Sequence, residues 1–119
     1  MGHVYTEVLI GDPKRSRVLR SRMLVDTGAT YTCLPPKLAS DLGLPILGER
    51  DVTLADGRRV KAGVGLASVE IGGREDVVEV RVFEVAEAVI GAFTLESLGL
   101  AVDPVTGELR PTRSFTARA

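Results

Sequence analysis

Asp26 is the residue around which chemistry could be built. It stands in the stretch Met23-Leu24-Val25-Asp26-Thr27-Gly28-Ala29-Thr30, which occurs once in the chain. An apolar strand runs straight into a carboxylate and then a tight Thr-Gly turn. A carboxylate set beside a core strand is costly to leave unpaired, and such a group is often held for acid–base work. The same pattern also has a bland reading, in which the Asp side chain caps its own backbone in an Asx turn.

Other chemistries are poorly supplied. His3 is the one histidine and Cys33 the one cysteine among 119 residues. A Ser-His-Asp or Cys-His nucleophile would have to recruit a histidine from the N-terminus. A zinc site of His and Cys ligands is nearly excluded, so no metal and no cofactor are expected. Cys33 reads as a small apolar residue, and a lone cysteine is at ease in a reducing cytoplasm, the expected location. The net charge is -1, aromatic residues are 4% and no basic stripe is present, which argues against nucleic-acid binding. No apolar run is long enough to span a bilayer, and the opening residues read as a strand rather than a signal peptide.

The elements that must position Asp26 are mostly strands. Hydrophobic residues at 45% and charged residues at 26% fit one globular domain over 1–119, with 114–119 a frayed tail. Strands are predicted over Val4 to Ile10, Arg17 to Val25, Tyr31 to Leu34, Asp51 to Leu54, Arg59 to Ile71 and Val77 to Val85. Asp56-Gly57 and Gly72-Gly73 supply hairpin turns, while Gly63 and Gly65 loosen the long strand. Pro36 opens a short helix that Gly43 ends, and a second runs from Phe93 to Leu98, ended by Gly99. Leu100 to Asp103 and Glu108 to Arg110 flank a turn and can form a terminal hairpin, with Asp103 in a turn role. There is an internal echo. Val25-Asp26-Thr27-Gly28-Ala29 and Val89-Ile90-Gly91-Ala92 are each followed by a short helix that ends in Leu-Gly-Leu. Only the first carries the acid.

Those two halves, with a hairpin between them, resemble the retropepsin-like aspartic proteases. The resemblance runs from Val4 to about Asp103 and is closer to cellular and bacterial members than to viral ones. It implies an all-β, closed, barrel-like protomer with one or two short helices that works as a homodimer, because the chemistry needs two facing carboxylates. Asp26 of each copy would form the dyad. One ionised carboxylate would take a proton from a water as that water attacks the scissile carbonyl, and the protonated one would hydrogen-bond the carbonyl oxygen. Thr27 would lock the two loops together, and Gly28 would let the substrate backbone approach. Leu54, Ala55, Asp56, Gly57 and Val60 would belong to a flap that closes over an extended peptide or protein substrate. Val89, Ile90 and Gly91 would support the loop, with Val89, Leu54 and Val60 in the pocket.

Two departures stand out. Thr30 and Ala92 occupy positions where retroviral enzymes carry an Asp and its partner Arg, so that ion-pair network is missing. Ala29 replaces the Ser of pepsin-like enzymes, which implies activity at mildly acidic to near-neutral pH. Bland readings stand beside these: Thr30 as a turn hydroxyl, Asp56-Gly57 as an exposed turn, Val89-Ile90-Gly91 as a core strand. A silent peptide-binding or assembly module on the same fold is the alternative to an endopeptidase.

Overall fold

Glycine turns and β-branched runs build the sheet. The computed structural model describes residues 3–112. Its strands are β1 (Val4–Gly11), β2 (Val18–Val25), β3 (Thr32–Leu34), β4 (Ile46–Thr53), β5 (Arg59–Ile71), β6 (Arg74–Val82), β7 (Val89–Ile90), β8 (Leu100–Val102) and β9 (Leu109–Pro111). The helices are α1 (Pro36–Leu42) and α2 (Ala92–Leu98). Gly72 and Gly73 take φ of 58° and 83°, so the β5–β6 turn needs two successive left-handed residues and uses the residue type that adopts them without strain.

The seven-stranded sheet has the order β1-β2-β7-β3-β6-β5-β4. β1 also pairs with β5, through Leu9↔Glu70 to Gly11↔Ser68. That pairing closes the sheet on itself and leaves β4 as the outer arm of a hairpin with β5. Ile10, Met23, Leu34, Val80 and Ile90 are fully buried inside the closure. Each such burial contributes about 1.5–3 kcal/mol. The short helices pack from outside, with Leu42 of α1 and Leu95 and Leu98 of α2 in the core. β8 and β9 form a separate two-stranded sheet.

Several boundaries differ from the sequence-based expectation, each for a physical reason. β4 begins at Ile46, not Asp51. It is an edge strand exposed along nearly its whole length, so it carries no buried alternation to read. β6 begins at Arg74 and stops at Val82, set by its ladder to β5 rather than by its run of valines. β5 runs unbroken through Gly63 and Gly65, which make room for Ile46: a Cβ on either would come within 3.3 Å of its side chain. The expected fraying of residues 114–119 lies outside the described residues.

Candidate active site

Four strands, β2, β7, β3 and β6, lie side by side under Asp26. β2 runs parallel to β7, with Leu24 beside Val89 and Val25 beside Ile90. β7 pairs antiparallel with β3 at Val89↔Cys33, and β3 pairs parallel with β6 at Cys33↔Arg81. Neighbours across a sheet share a face. One row, Leu24-Val89-Cys33-Arg81, therefore faces outward and lines a groove. Val25 and Ile90 point the other way into the core.

Backbone hydrogen bonds fix the Asp26 loop at both ends. The Asp26 N–H donates to the Ile90 carbonyl at 3.0 Å, and the Ala29 N–H donates to the Asp26 carbonyl at 3.1 Å. Asp26 Oδ1 accepts the Gly28 N–H at 2.9 Å. This is the Asx turn of the bland reading, and it leaves Oδ2 outside the turn. The carboxylate is exposed in the single chain. The expectation of a costly buried acid is corrected accordingly: β2 buries Met23 and Val25, and the loop then lifts Asp26 clear of the core.

α2 braces this loop from below. The first N–H groups of a helix lack intrahelical partners. Here the Ala92 N–H donates to the Ala29 carbonyl at 2.7 Å and the Phe93 N–H to the Thr30 carbonyl at 3.0 Å. No side-chain cap is used. Gly91 sits where a Cβ would lie 2.4 Å from the Tyr31 carbonyl carbon and 2.5 Å from its oxygen, so no other residue type fits. The Gly91 N–H donates to Thr32 Oγ1 at 3.1 Å, and Thr32 Oγ1 lies 2.7 Å from Thr94 Oγ1. Both hydroxyls are buried, and each has a partner.

Opposite the loop stands the β4–β5 hairpin. Its tip turns at Gly57, with φ of 88°. Asp56 Oδ1 accepts the Arg58 N–H at 3.0 Å, and Oδ2 accepts from Arg58 Nε at 2.7 Å. Those bonds, the backbone one foremost, hold the Asp56 carboxyl below the usual carboxylate range. Between tip and floor lies a groove of about 1020 Å³. Asp26, Gly28, Ala29, Thr30 and Val89 line it from one side, and Leu54 and Ala55 from the other.

A family model described as "Aspartyl protease" matches residues 7–103. The chain belongs to that family. The solved structure of the EIAV protease complexed with the inhibitor HBY-793 is similar, at 21% sequence identity and a TM-score of 0.68. The match covers 82% of this chain and 89% of that one, and it shows a shared retroviral-protease fold. No curated protein matches the sequence.

Within this aspartyl protease fold the expected site residues separate into groups. Asp26, Gly28, Ala29, Thr30, Leu54, Ala55 and Val89 share the groove, whereas Asp56, Gly57 and Val60 do not line it. Ile90 and Gly91 are buried beneath it. Thr27 points into a second cleft, of about 960 Å³, with Tyr5, Leu95 and the Pro104–Gly107 turn. The Thr30 hydroxyl makes no hydrogen bond among the described residues; its carbonyl is what caps α2. Asp103 has the turn role expected of it, accepting the Val105 N–H at 2.8 Å.

Sequence reasoning did not single out Thr32, Thr94, Tyr31 or Arg81. Tyr31 meets Phe93 edge to face at 5.4 Å between ring centroids. Arg81 is buried with its guanidinium 3.8 Å from the Tyr31 ring centroid. Cys33 is half-buried in the groove wall and donates to the Tyr31 carbonyl at 3.3 Å. Burial pushes its thiol pKa up, with Arg81 acting in the opposite direction.

Proposed function

We propose that the protein is an aspartic endopeptidase whose working unit is a homodimer. The observation that carries this reading is the single Asp26 loop, held rigidly at the floor of a groove roofed by a β-hairpin. Membership of the aspartyl protease family supports it. One chain offers one such carboxylate, so a two-carboxylate site needs a second copy. A two-fold dimer presents the same patch from both partners, and Thr27, facing the second cleft, would sit at the join.

Two carboxylates brought face to face share a proton, because both cannot ionise readily. The ionised one takes a proton from a water as its oxygen attacks the peptide carbonyl carbon. The protonated one donates a hydrogen bond to the carbonyl oxygen, where negative charge develops. The C–N bond then breaks as a proton passes from a carboxyl group to the leaving amine. No covalent enzyme intermediate forms. The substrate would lie extended between the Leu54–Ala55 roof and the Gly28–Thr30 floor, bonding through its backbone. Ala29 offers no hydroxyl to the dyad, which favours a rate maximum at mildly acidic to near-neutral pH.

A second reading rests on one observation. The exposed carboxylate caps its own turn, which a peptide-binding module that does not cleave would explain equally well. The test is incubation of the wild-type protein and Asp26→Asn with a peptide library from acidic to neutral pH, read by mass spectrometry. Cleavage that disappears in Asp26→Asn supports the endopeptidase. Cleavage unchanged by that substitution, or absent from a folded dimer, removes it.

A further inference from the structure

We infer that Arg81 builds an acidic-side-chain subsite into the groove, so that the protein selects peptides with an Asp or Glu close to the reacting bond on each side. The inference rests on the groove being the peptide site proposed above.

Arg81 is the buried cation of the groove wall, its side chain only 8% exposed. A buried charge needs a partner, or its desolvation goes uncompensated. Its protein partner is incomplete. Nη1 donates to Glu79 Oε1 at 2.6 Å, and Glu79 is itself 46% exposed. Tyr31 offers its ring face, a favourable surface for a cation that takes no hydrogen bond from it. A guanidinium carries five N–H donors in a planar fork. Nε and Nη2 have no hydrogen-bond partner among the described residues, yet they are not sealed off. Among those residues, Ser68 Oγ is the one buried side-chain atom left without a partner. The open edge of the fork therefore meets solvent, and Arg81 lines the groove. A planar fork with a free edge suits a carboxylate.

Position follows from the sheet. Arg81 ends the row Leu24-Val89-Cys33-Arg81, and Asp26 lies two residues beyond Leu24. Three strand spacings of about 4.8 Å separate the ends of that row, a span of about four residues of extended peptide. The side chain Arg81 reads therefore lies within about four residues of the bond above Asp26. In a two-fold dimer the partner repeats the site on the other side of the bond. The rim carries three exposed carboxylates, Asp51, Glu84 and Glu87, against one exposed cation, Arg50, and this negative balance opposes a peptide that is acidic throughout. The preference is for one carboxylate per side, not for general negative charge.

Wild type, Arg81→Met and Arg81→Lys are each incubated with randomised ten-residue peptides, and the cut sites are sequenced. In parallel, each is prepared with Asp26→Asn. Binding is then measured by fluorescence anisotropy for labelled peptide pairs that differ only in Glu against Gln, taken from the cut sites or, without cleavage, from panning the library on Asp26→Asn protein. Expected are acidic residues enriched about tenfold at one position on each side of the bond, the same bias in binding, loss of both in Arg81→Met, and partial retention in Arg81→Lys. Replacing Arg81 with Met leaves Glu79 hydrated, and circular dichroism melts confirm that the variants fold. Cut sites without acidic enrichment, or an enrichment that Arg81→Met retains, overturn the inference. Absence of cleavage with a Glu preference that depends on Arg81 ends the endopeptidase reading and keeps the subsite. Absence of any Glu preference in binding overturns the subsite.

Discussion

The two halves of this chain use one plan for different ends. Each runs from a core strand through a small-residue turn to a seven-residue helix. Gly43 and Gly99 end those helices with nearly the same backbone angles, φ of 65° and 67°. In the first half the turn exposes Asp26, and β3 intervenes before α1. In the second half the turn is Gly91, buried against the Tyr31 backbone, and α2 begins at once. The direct start of α2 is what lets its first N–H groups reach the carbonyls of Ala29 and Thr30. One half presents a reactive group, and the other supplies the backbone that holds it still.

The contrast can be broken most severely at Gly91. Gly91→Ala forces a Cβ against a backbone carbonyl and is expected to cost on the order of 3 kcal/mol, seen as a lowered Tm. The equivalent change at exposed Gly48, where a Cβ meets nothing within 4 Å, should shift Tm far less. The hydroxyl pair comes next. Thr32→Val leaves the buried Gly91 N–H unpaired and should cost about 1–3 kcal/mol. A double-mutant cycle with Thr94→Val should show coupling, because one hydrogen bond joins the two side chains. Additive effects would mean that the hydroxyls do not brace the loop together.

At Asp26 stability should hardly respond. In the single chain the carboxylate is exposed, and an Asn oxygen can still accept the Gly28 N–H, so at protein concentrations low enough to keep the chains monomeric Asp26→Asn is expected within about 0.5 kcal/mol of wild type by denaturant titration. The smallest effect lies in the extension of the second half. Hydrogen bonds from the Val105 N–H and from Arg110 hold the Asp103 carboxyl below the usual range. A depressed folded-state pKa gives stability that is present above the unfolded pKa and lost as pH falls through the folded one. The protection factor of the Gly107 amide, which donates to the Asp103 carbonyl, should therefore fall in that acid window and stay flat above it.

Much of this was legible from single residues. Asp26 with Gly28, the paired Leu-Gly-Leu helix ends, and the turns at Gly57 and Gly72-Gly73 all declared themselves through side-chain chemistry or backbone freedom. What stayed hidden depends on distant pairing. Thr32 and Thr94 are ordinary residues until the fold places them 2.7 Å apart across 62 positions. The β1–β5 closure joins strands far apart in the chain, with no local mark. Alternation correctly put Arg81 on the face opposite Val80, but nothing local shows that its guanidinium lies over the ring of Tyr31, the residue just before β3. β4, exposed along nearly all of its length, had no buried pattern to show.

The central claim is that each chain carries half of a reacting centre, and mixing tests it most directly. Wild-type and Asp26→Asn chains are combined in equal amounts, allowed to exchange, and assayed on a cleaved peptide at fixed total protein. If two Asp26 carboxylates make one site, only wild-type pairs are active, and the rate should fall to about a quarter of that of wild type alone. A rate of about a half would mean that each chain works by itself, and would contradict the shared site.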